Sequence, residues 1–205
     1  MMKEIHFITS NKGKINALRQ ALEVEGLSEI SVVAQNLNLC EPQFNTVEEV
    51  SAYKARQAHQ ILQKPVLVED GGFCLEGLNG FPGVYTKYIL ETIGIEGILK
   101  LLSGCPNRRA KFVSCASYID ENGELFQFDR KGGEFAISEK IVEIDSPYAW
   151  SELWKIIFLP TFGKNLCQMG KEEIDDYMHG NQVEGSVQQF AKWCAGKVEK
   201  ASLTD

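Results

Sequence analysis

No stretch of this 205-residue sequence reaches the roughly 18–20 consecutive apolar residues that a membrane-spanning helix needs. The N-terminal Met-Met-Lys-Glu-Ile-His-Phe-Ile-Thr-Ser-Asn lacks the long apolar segment of a secretory signal, so the expected location is cytoplasmic, away from any membrane. Excess positive charge is also missing. Lys and Arg total 21 against 28 Asp and Glu, a net charge of −7. That balance argues against a protein that binds nucleic-acid polymers by neutralising phosphates. It leaves room for a small phosphorylated ligand in a local basic pocket. No Cys-x-x-Cys pair occurs, and Cys40, Cys74, Cys105, Cys115, Cys167 and Cys194 are scattered. Such cysteines read as buried free thiols of a reducing compartment, with no zinc site and no paired base for a thiol nucleophile. Low-complexity segments, repeats and linkers are absent. What is present is ordinary globular material, with 44% hydrophobic residues and enough length to bury a core.

The chain alternates strand-like and helix-like patterns, which predicts an α/β fold ending in a more antiparallel block. Ile5-His6-Phe7-Ile8 suits a buried strand, and Ile15, Leu18 and Leu22 then form one stripe of a helix. Val32-Val33 suits a second strand. Thr46 and Glu49 match a capping box that opens a helix running to about Leu62. Val66-Leu67-Val68 is a third strand, expected to end at Glu69-Asp70-Gly71-Gly72. Residues 75–84 read as loop and residues 95–102 as a short helix. Residues 112–119 and 125–128 flank Asn122-Gly123, a hairpin signal. Residues 135–144 suggest an adjacent strand. Val183, Val187, Phe190 and Cys194 form a closing helical stripe.

Chemistry concentrates in three places. The turn Thr9-Ser10-Asn11-Lys12-Gly13-Lys14 lies between a strand and a helix start, where free N–H groups suit a phosphate. Ser10 or Asn11 acting simply as a helix cap explains the same residues equally well. Glu69 and Asp70 stand at a strand's carboxyl end, where α/β sheets bind ligands and where carboxylates can hold Mg²⁺ or activate water. Two solvated acids in a turn is the plainer alternative. Glu41 and Glu49 are further ligand candidates, although the capping box already accounts for Glu49. Lys54 and Lys87 could join Lys12 and Lys14 in a basic pocket. His6 and His59 read as a strand residue and a helix-surface residue. Trp150, Trp154 and Trp193 read as core, and the acidic residues 172–176 as a solvated helix face.

Three blocks together resemble the inosine triphosphate pyrophosphatase (Ham1-like) family. Residues 9–14 are similar to its Thr-Gly-Asn-x-x-Lys loop. Val68-Glu69-Asp70-Gly71-Gly72-Phe73-Cys74-Leu75 resembles its acidic strand end. Gly77-Leu78-Asn79-Gly80-Phe81-Pro82-Gly83-Val84-Tyr85-Thr86-Lys87 resembles its Leu-Gly-Gly-x-Pro-Gly-x-Tyr segment. The resemblance implies one elongated α/β domain, residues 1–205, with a long mixed central sheet and two lobes around a cleft. It implies Mg²⁺-dependent hydrolysis of nucleoside triphosphates, notably ITP, dITP and XTP, to monophosphate and pyrophosphate by a homodimer. By position it makes Glu41 and Asp70 the metal ligands, and Asp70 also the base with Lys14 beside it. Thr9, Ser10, Asn11, Lys12, Gly13, Lys14, Lys54, Gly71 and Lys87 match the phosphate half of the substrate site.

The last third departs from the family pattern. Against Gly-Trp/Tyr-Asp-Pro-x-Phe stands Leu153-Trp154-Lys155-Ile156-Ile157-Phe158, so Lys155 replaces an aspartate. Against Lys-Asn-x-x-Ser-His-Arg stand residues 174–180, with Ile174, Met178 and Gly180 at polar family positions and His179 retained. Trp154 and His179 are left to border the base. Each lost charge-assisted hydrogen bond is worth roughly 1.5–3 kcal/mol, enough to change which base is chosen. Random decay has no reason to spare the acids and lysines, so altered base choice is the expectation. A silent nucleotide-binding protein on the same scaffold is the rival. A pyrimidine-directed relative of the septum-inhibitor type is a third reading.

Overall fold

The computed structural model describes residues 4–130, 133–180 and 184–202, without the side chains of 178–180 and 199–202. In chain order the elements are β1 (Glu4–Ile8), α1 (Lys12–Val24), β2 (Ser31–Gln35), α2 (Val47–Leu62), β3 (Val66–Leu75), β4 (Pro82–Gly83), α3 (Thr86–Thr92), α4 (Gly94–Leu101), β5 (Arg109–Ile119), β6 (Leu125–Asp129), β7 (Glu134–Ile137), β8 (Ile157–Leu159), β9 (Lys164–Asn165), α5 (Lys171–Gly180) and α6 (Ser186–Ser202). Short 3₁₀ turns lie at Glu76–Leu78, Glu152–Lys155 and Leu166–Gln168. The described strands form a long mixed sheet in the order β2-β1-β3-β5-β7-β8-β9, with β4 on β3 and β6 on β5, and helices flank it. The chain divides into two compact units, one of Met1–Gly71, Ser114–Arg130 and Glu184–Asp205, the other of Gly72–Val113 and Lys131–Val183.

In the first unit β1 pairs in parallel with β2 (Ile5 opposite Val32) and with β3 (Phe7 opposite Leu67). Ile5, His6, Phe7 and Ile8 are all buried, as a central parallel strand requires. His6 is satisfied there by Gln35 at 3.1 Å and Glu4 at 2.7 Å. Leu18, Ala21 and Leu22 of α1 pack with Val187, Phe190, Ala191 and Cys194 of α6 over Ile5, Phe7 and Leu67. Val183 lies outside the described residues. The capping box forms: Glu49 N–H donates to Thr46 Oγ1 at 3.2 Å, and Thr46 N–H donates back to Glu49 Oε2 at 3.2 Å. Glu49 is thereby spent on the helix start. In the β5–β6 turn Asp120 Oδ1 accepts from the N–H groups of Asn122 and Glu124, and Gly123 takes φ +80°.

The second unit is built around Phe73, Phe112 and Phe135, whose rings lie 5.1–6.0 Å apart. Several expectations change here. The third strand does not end at Glu69-Asp70-Gly71-Gly72 but runs on to Leu75, because β4 pairs antiparallel with Phe73 and Cys74. A Cβ at Gly72 would collide with the Gly83 carbonyl, so the glycine permits that pairing. Gly72→Ala is expected to cost about 1–3 kcal/mol, read as a lowered thermal midpoint. Residues 75–84, expected as loop, hold the 3₁₀ turn and β4, and α3 forms where no helix was expected. The strand expected over 135–144 stops at Ile137, since the Arg108 guanidinium takes the carbonyls of Ile137 and Ser138 at 2.7 Å each. Trp150 is not core. It is 63% exposed and lies against Phe112 and Trp154 on the surface. Trp193, in the first unit, is half-buried among Tyr118, Phe126, Phe128 and Phe190. Along the acidic run, Glu173 pairs with Lys164 at 2.6 Å, which lowers the carboxyl's pKa.

Only half of the cysteines are buried. Cys115, Cys167 and Cys194 are enclosed, Cys74 and Cys105 are half-buried and Cys40 is exposed. Burial pushes the Cys115 thiol up to about 11 and the Cys194 thiol up to about 12. Thiolate is the reacting form, so iodoacetamide at neutral pH should label Cys40 well before Cys115 or Cys194, as mass spectrometry of digests would show.

Candidate functional site

The loop after β1 is shaped by its own side chains. Thr9 Oγ1 accepts from Asn11 N–H at 3.1 Å, and Asn11 Oδ1 accepts from the N–H groups of Gly13 at 2.8 Å and Lys14 at 3.3 Å. Asn11 is therefore the N-cap of α1, and a Cβ at Gly13 would crowd its Oδ1 at 3.1 Å. Ser10 and Lys12 are exposed beside it. The cap uses two of the first-turn amides, and the helix dipole still favours an anion there.

Two adjacent acids at the end of the parallel part of β3 each hold a lysine. Lys14 Nζ donates to the Glu69 carbonyl at 2.8 Å and lies 3.7 Å from Glu69 Oε2. Lys54, from the middle of α2, donates to Glu41 Oε1 at 2.7 Å and to Asp70 Oδ2 at 3.0 Å. Burial alone would lower the pKa of Lys54, but Asp70 and Glu41 outweigh it and hold the ammonium above its ordinary value. The other Asp70 oxygen accepts from Gly71 N–H at 2.9 Å. Glu41, Asp70, Lys14, Lys54, Gly71 and the 9–14 loop thus share the first unit. The remaining expected residues belong to the second. The Lys87 side chain is 88% exposed, 3.9 Å from Glu91. Trp154 is buried, with an indole N–H that has no hydrogen-bond partner among the described residues, and it lines a cavity of about 310 Å³ with Trp150, Asp145 and Lys155. Lys155 pairs with Asp145 at 3.0 Å, which raises its pKa, and stands 3.9 Å from Glu143. His179 falls in the last turn of α5, and its side chain lies outside the described residues.

Ser186 and Ser114 were not legible in advance. Ser186, fully buried at the start of α6, donates to Glu69 Oε1 at 2.6 Å and lies 3.0 Å from the Ser114 hydroxyl. The one available signal was Gly185-Ser186 directly before the Val187, Phe190, Cys194 stripe, a serine suited to a helix start.

The donor set suits a hard divalent cation. Glu41 and Asp70 both present carboxylate oxygens to one cationic centre, at present the Lys54 ammonium. Among the described residues no group of three or more His, Cys, Asp or Glu converges. Two carboxylates completed by water and substrate phosphate is the usual arrangement for Mg²⁺. Lys14 in the first turn of α1 and Lys54 bridging two carboxylates define an α/β protein equipped to handle a phosphorylated ligand.

Comparison with known proteins narrows that class. The Ham1 family model matches residues 5–183, and the chain belongs to that family. It is 43% identical over 197 residues to a protein of Methanopyrus kandleri named dITP/XTP pyrophosphatase, covering 95% of this chain and 98% of that one. It is 44% identical over 187 residues to a protein of the same name from Hyperthermus butylicus, covering 90% and 91%. A solved HAM1 protein from Coxiella burnetii superposes with a TM-score of 0.75 at 19% identity, over 96% of this chain and 100% of that one. The latter likeness speaks to the fold.

Proposed function

We propose that this protein is a Mg²⁺-dependent nucleoside triphosphate pyrophosphohydrolase that removes non-standard purine nucleotides of the dITP and XTP kind. The observation that carries the reading is the placement of Lys14 and Lys54 on the neighbouring residues Glu69 and Asp70, beside the N-terminus of α1. A triphosphate brings about four negative charges, and two lysines, with the positive end of the α1 dipole, supply the countercharge for it. Glu41 and Asp70 would hold Mg²⁺, which supplies charge neutralisation for the phosphate oxygens. Asp70, with one oxygen fixed by Gly71 N–H, accepts the proton of the attacking water. Lys14 and Lys54 stabilise the charge that develops on the phosphate chain. The relatives named dITP/XTP pyrophosphatase support a purine substrate. Lys155 does not oppose it, because Asp145 and Glu143 absorb its charge within the chain. The working form we infer is a cytoplasmic homodimer.

A panel of nucleoside triphosphates with Mg²⁺ tests the substrate class. The kcat/KM for dITP and XTP should exceed that for dATP, dGTP, dTTP and UTP by about tenfold or more. A lead by dTTP or UTP, or nucleotide binding without turnover, would overturn the reading.

A further inference from the structure

We propose that Ser186 and Glu69 form a positioning pair for the Lys14 ammonium, so that the start of the C-terminal helix α6 is a working part of the phosphate site. This rests on the reading of Lys14 as a phosphate ligand given above. Glu69 touches Lys14 twice, through its carbonyl at 2.8 Å and through Oε2 at 3.7 Å. Its other carboxylate oxygen is held by Ser186 at 2.6 Å, and Ser186 is 0% exposed. Ser114 on β5, 3.0 Å from the Ser186 hydroxyl, gives that hydroxyl a second neighbour. With Oε1 engaged, Glu69 is fixed in rotamer, and Oε2 stays directed at Lys14.

The ammonium has three donor hydrogens. One goes to the Glu69 carbonyl and a second lies toward Oε2, which leaves the third for a phosphate oxygen. A lysine tethered in this way loses less freedom when the anion arrives. The frame behind it is rigid. Val187, Phe190, Ala191 and Cys194 of α6 pack against Leu18, Ala21 and Leu22 of α1, so the serine and the lysine ride on one helix pair. Asp70 and Glu41 serve Lys54 instead. The pairing of lysines with acids thus separates Glu69 from the metal-holding carboxylates.

The test is a double-mutant cycle between Ser186→Ala and Lys14→Met, with dITP as substrate and Mg²⁺ saturating. Ser186→Ala should raise KM about tenfold with kcat within about threefold, and should leave the Mg²⁺ activation midpoint unchanged. In the Lys14→Met background the same serine change should add nothing. Glu69→Gln, which retains the side chain's shape, should behave like Ser186→Ala and serves if the serine variant does not fold. An additive cycle, a shifted Mg²⁺ midpoint, or an unchanged KM in both Ser186→Ala and Glu69→Gln would overturn the proposal. If Lys14→Met alone leaves KM unchanged, the failure lies in the phosphate reading of Lys14 instead.

Discussion

Asp70→Asn should lower the rate of pyrophosphate release by about 10³-fold while nucleotide binding persists, because positioned general bases contribute roughly 10²–10⁴. The substitution is nearly isosteric. The amide oxygen can still accept from Gly71 N–H, the contact now made at 2.9 Å. What disappears is the capacity to take a proton and the negative charge facing Lys54 at 3.0 Å. Thermal melting should shift little compared with the loss of turnover. Single-turnover measurements separate the chemical step from binding. Wild-type rates in this variant would remove Asp70 from the chemistry.

Lys54→Met should have the second-largest effect, and in two opposite directions. Lys54 is only 17% exposed and bridges Glu41 and Asp70 at 2.7 and 3.0 Å. Removing it withdraws charge-assisted bonds from the phosphate chain, which should lower kcat/KM by about 100-fold, or roughly 3 kcal/mol. It also takes away the ammonium that the Glu41 and Asp70 carboxylates share. Direct titration with Mn²⁺ or Mg²⁺ in the absence of nucleotide should therefore show tighter metal binding than in the unaltered protein. Weaker or unchanged metal binding would mean that Glu41 and Asp70 do not form the cation site. In the metal-free protein Asp70 and Glu41 hold the pKa of Lys54 above its ordinary value, so the ammonium facing them stays charged throughout the neutral range.

Local chemistry made much of the fold legible. Asn11 caps α1, Thr46 and Glu49 cap α2, and Asn122-Gly123 turns the β5–β6 hairpin, each through contacts within a few residues. Lys14 stands out beside a helix start and Glu69 and Asp70 beside two glycines, whereas Lys54 lies mid-helix and Glu41 in a loop. The failures share a different cause. The extension of β3 depends on pairing with β4, which no window around Gly71 reveals. The shortening of β7 depends on Arg108, 29 residues away from Ile137. Trp150 is large and apolar yet surface-exposed, since its neighbour Trp154 takes the interior position. Ser186 reaches Glu69 across 117 residues, and no periodicity in either segment announces that bond. Lys155 shows the same limit in electrostatics. Its charge stands out in sequence, but two acids from residues 143–145 meet it in the folded chain.

Cleavage of a nucleoside triphosphate to monophosphate and pyrophosphate, with Mg²⁺ held by Glu41 and Asp70, is the expected reaction. Its most direct test is quantitative product analysis of dITP hydrolysis, with and without Mg²⁺. The prediction is one pyrophosphate for each dIMP formed, no orthophosphate, and loss of both products when the metal is chelated. Stepwise release of orthophosphate through dIDP, or turnover that persists after chelation, would contradict it.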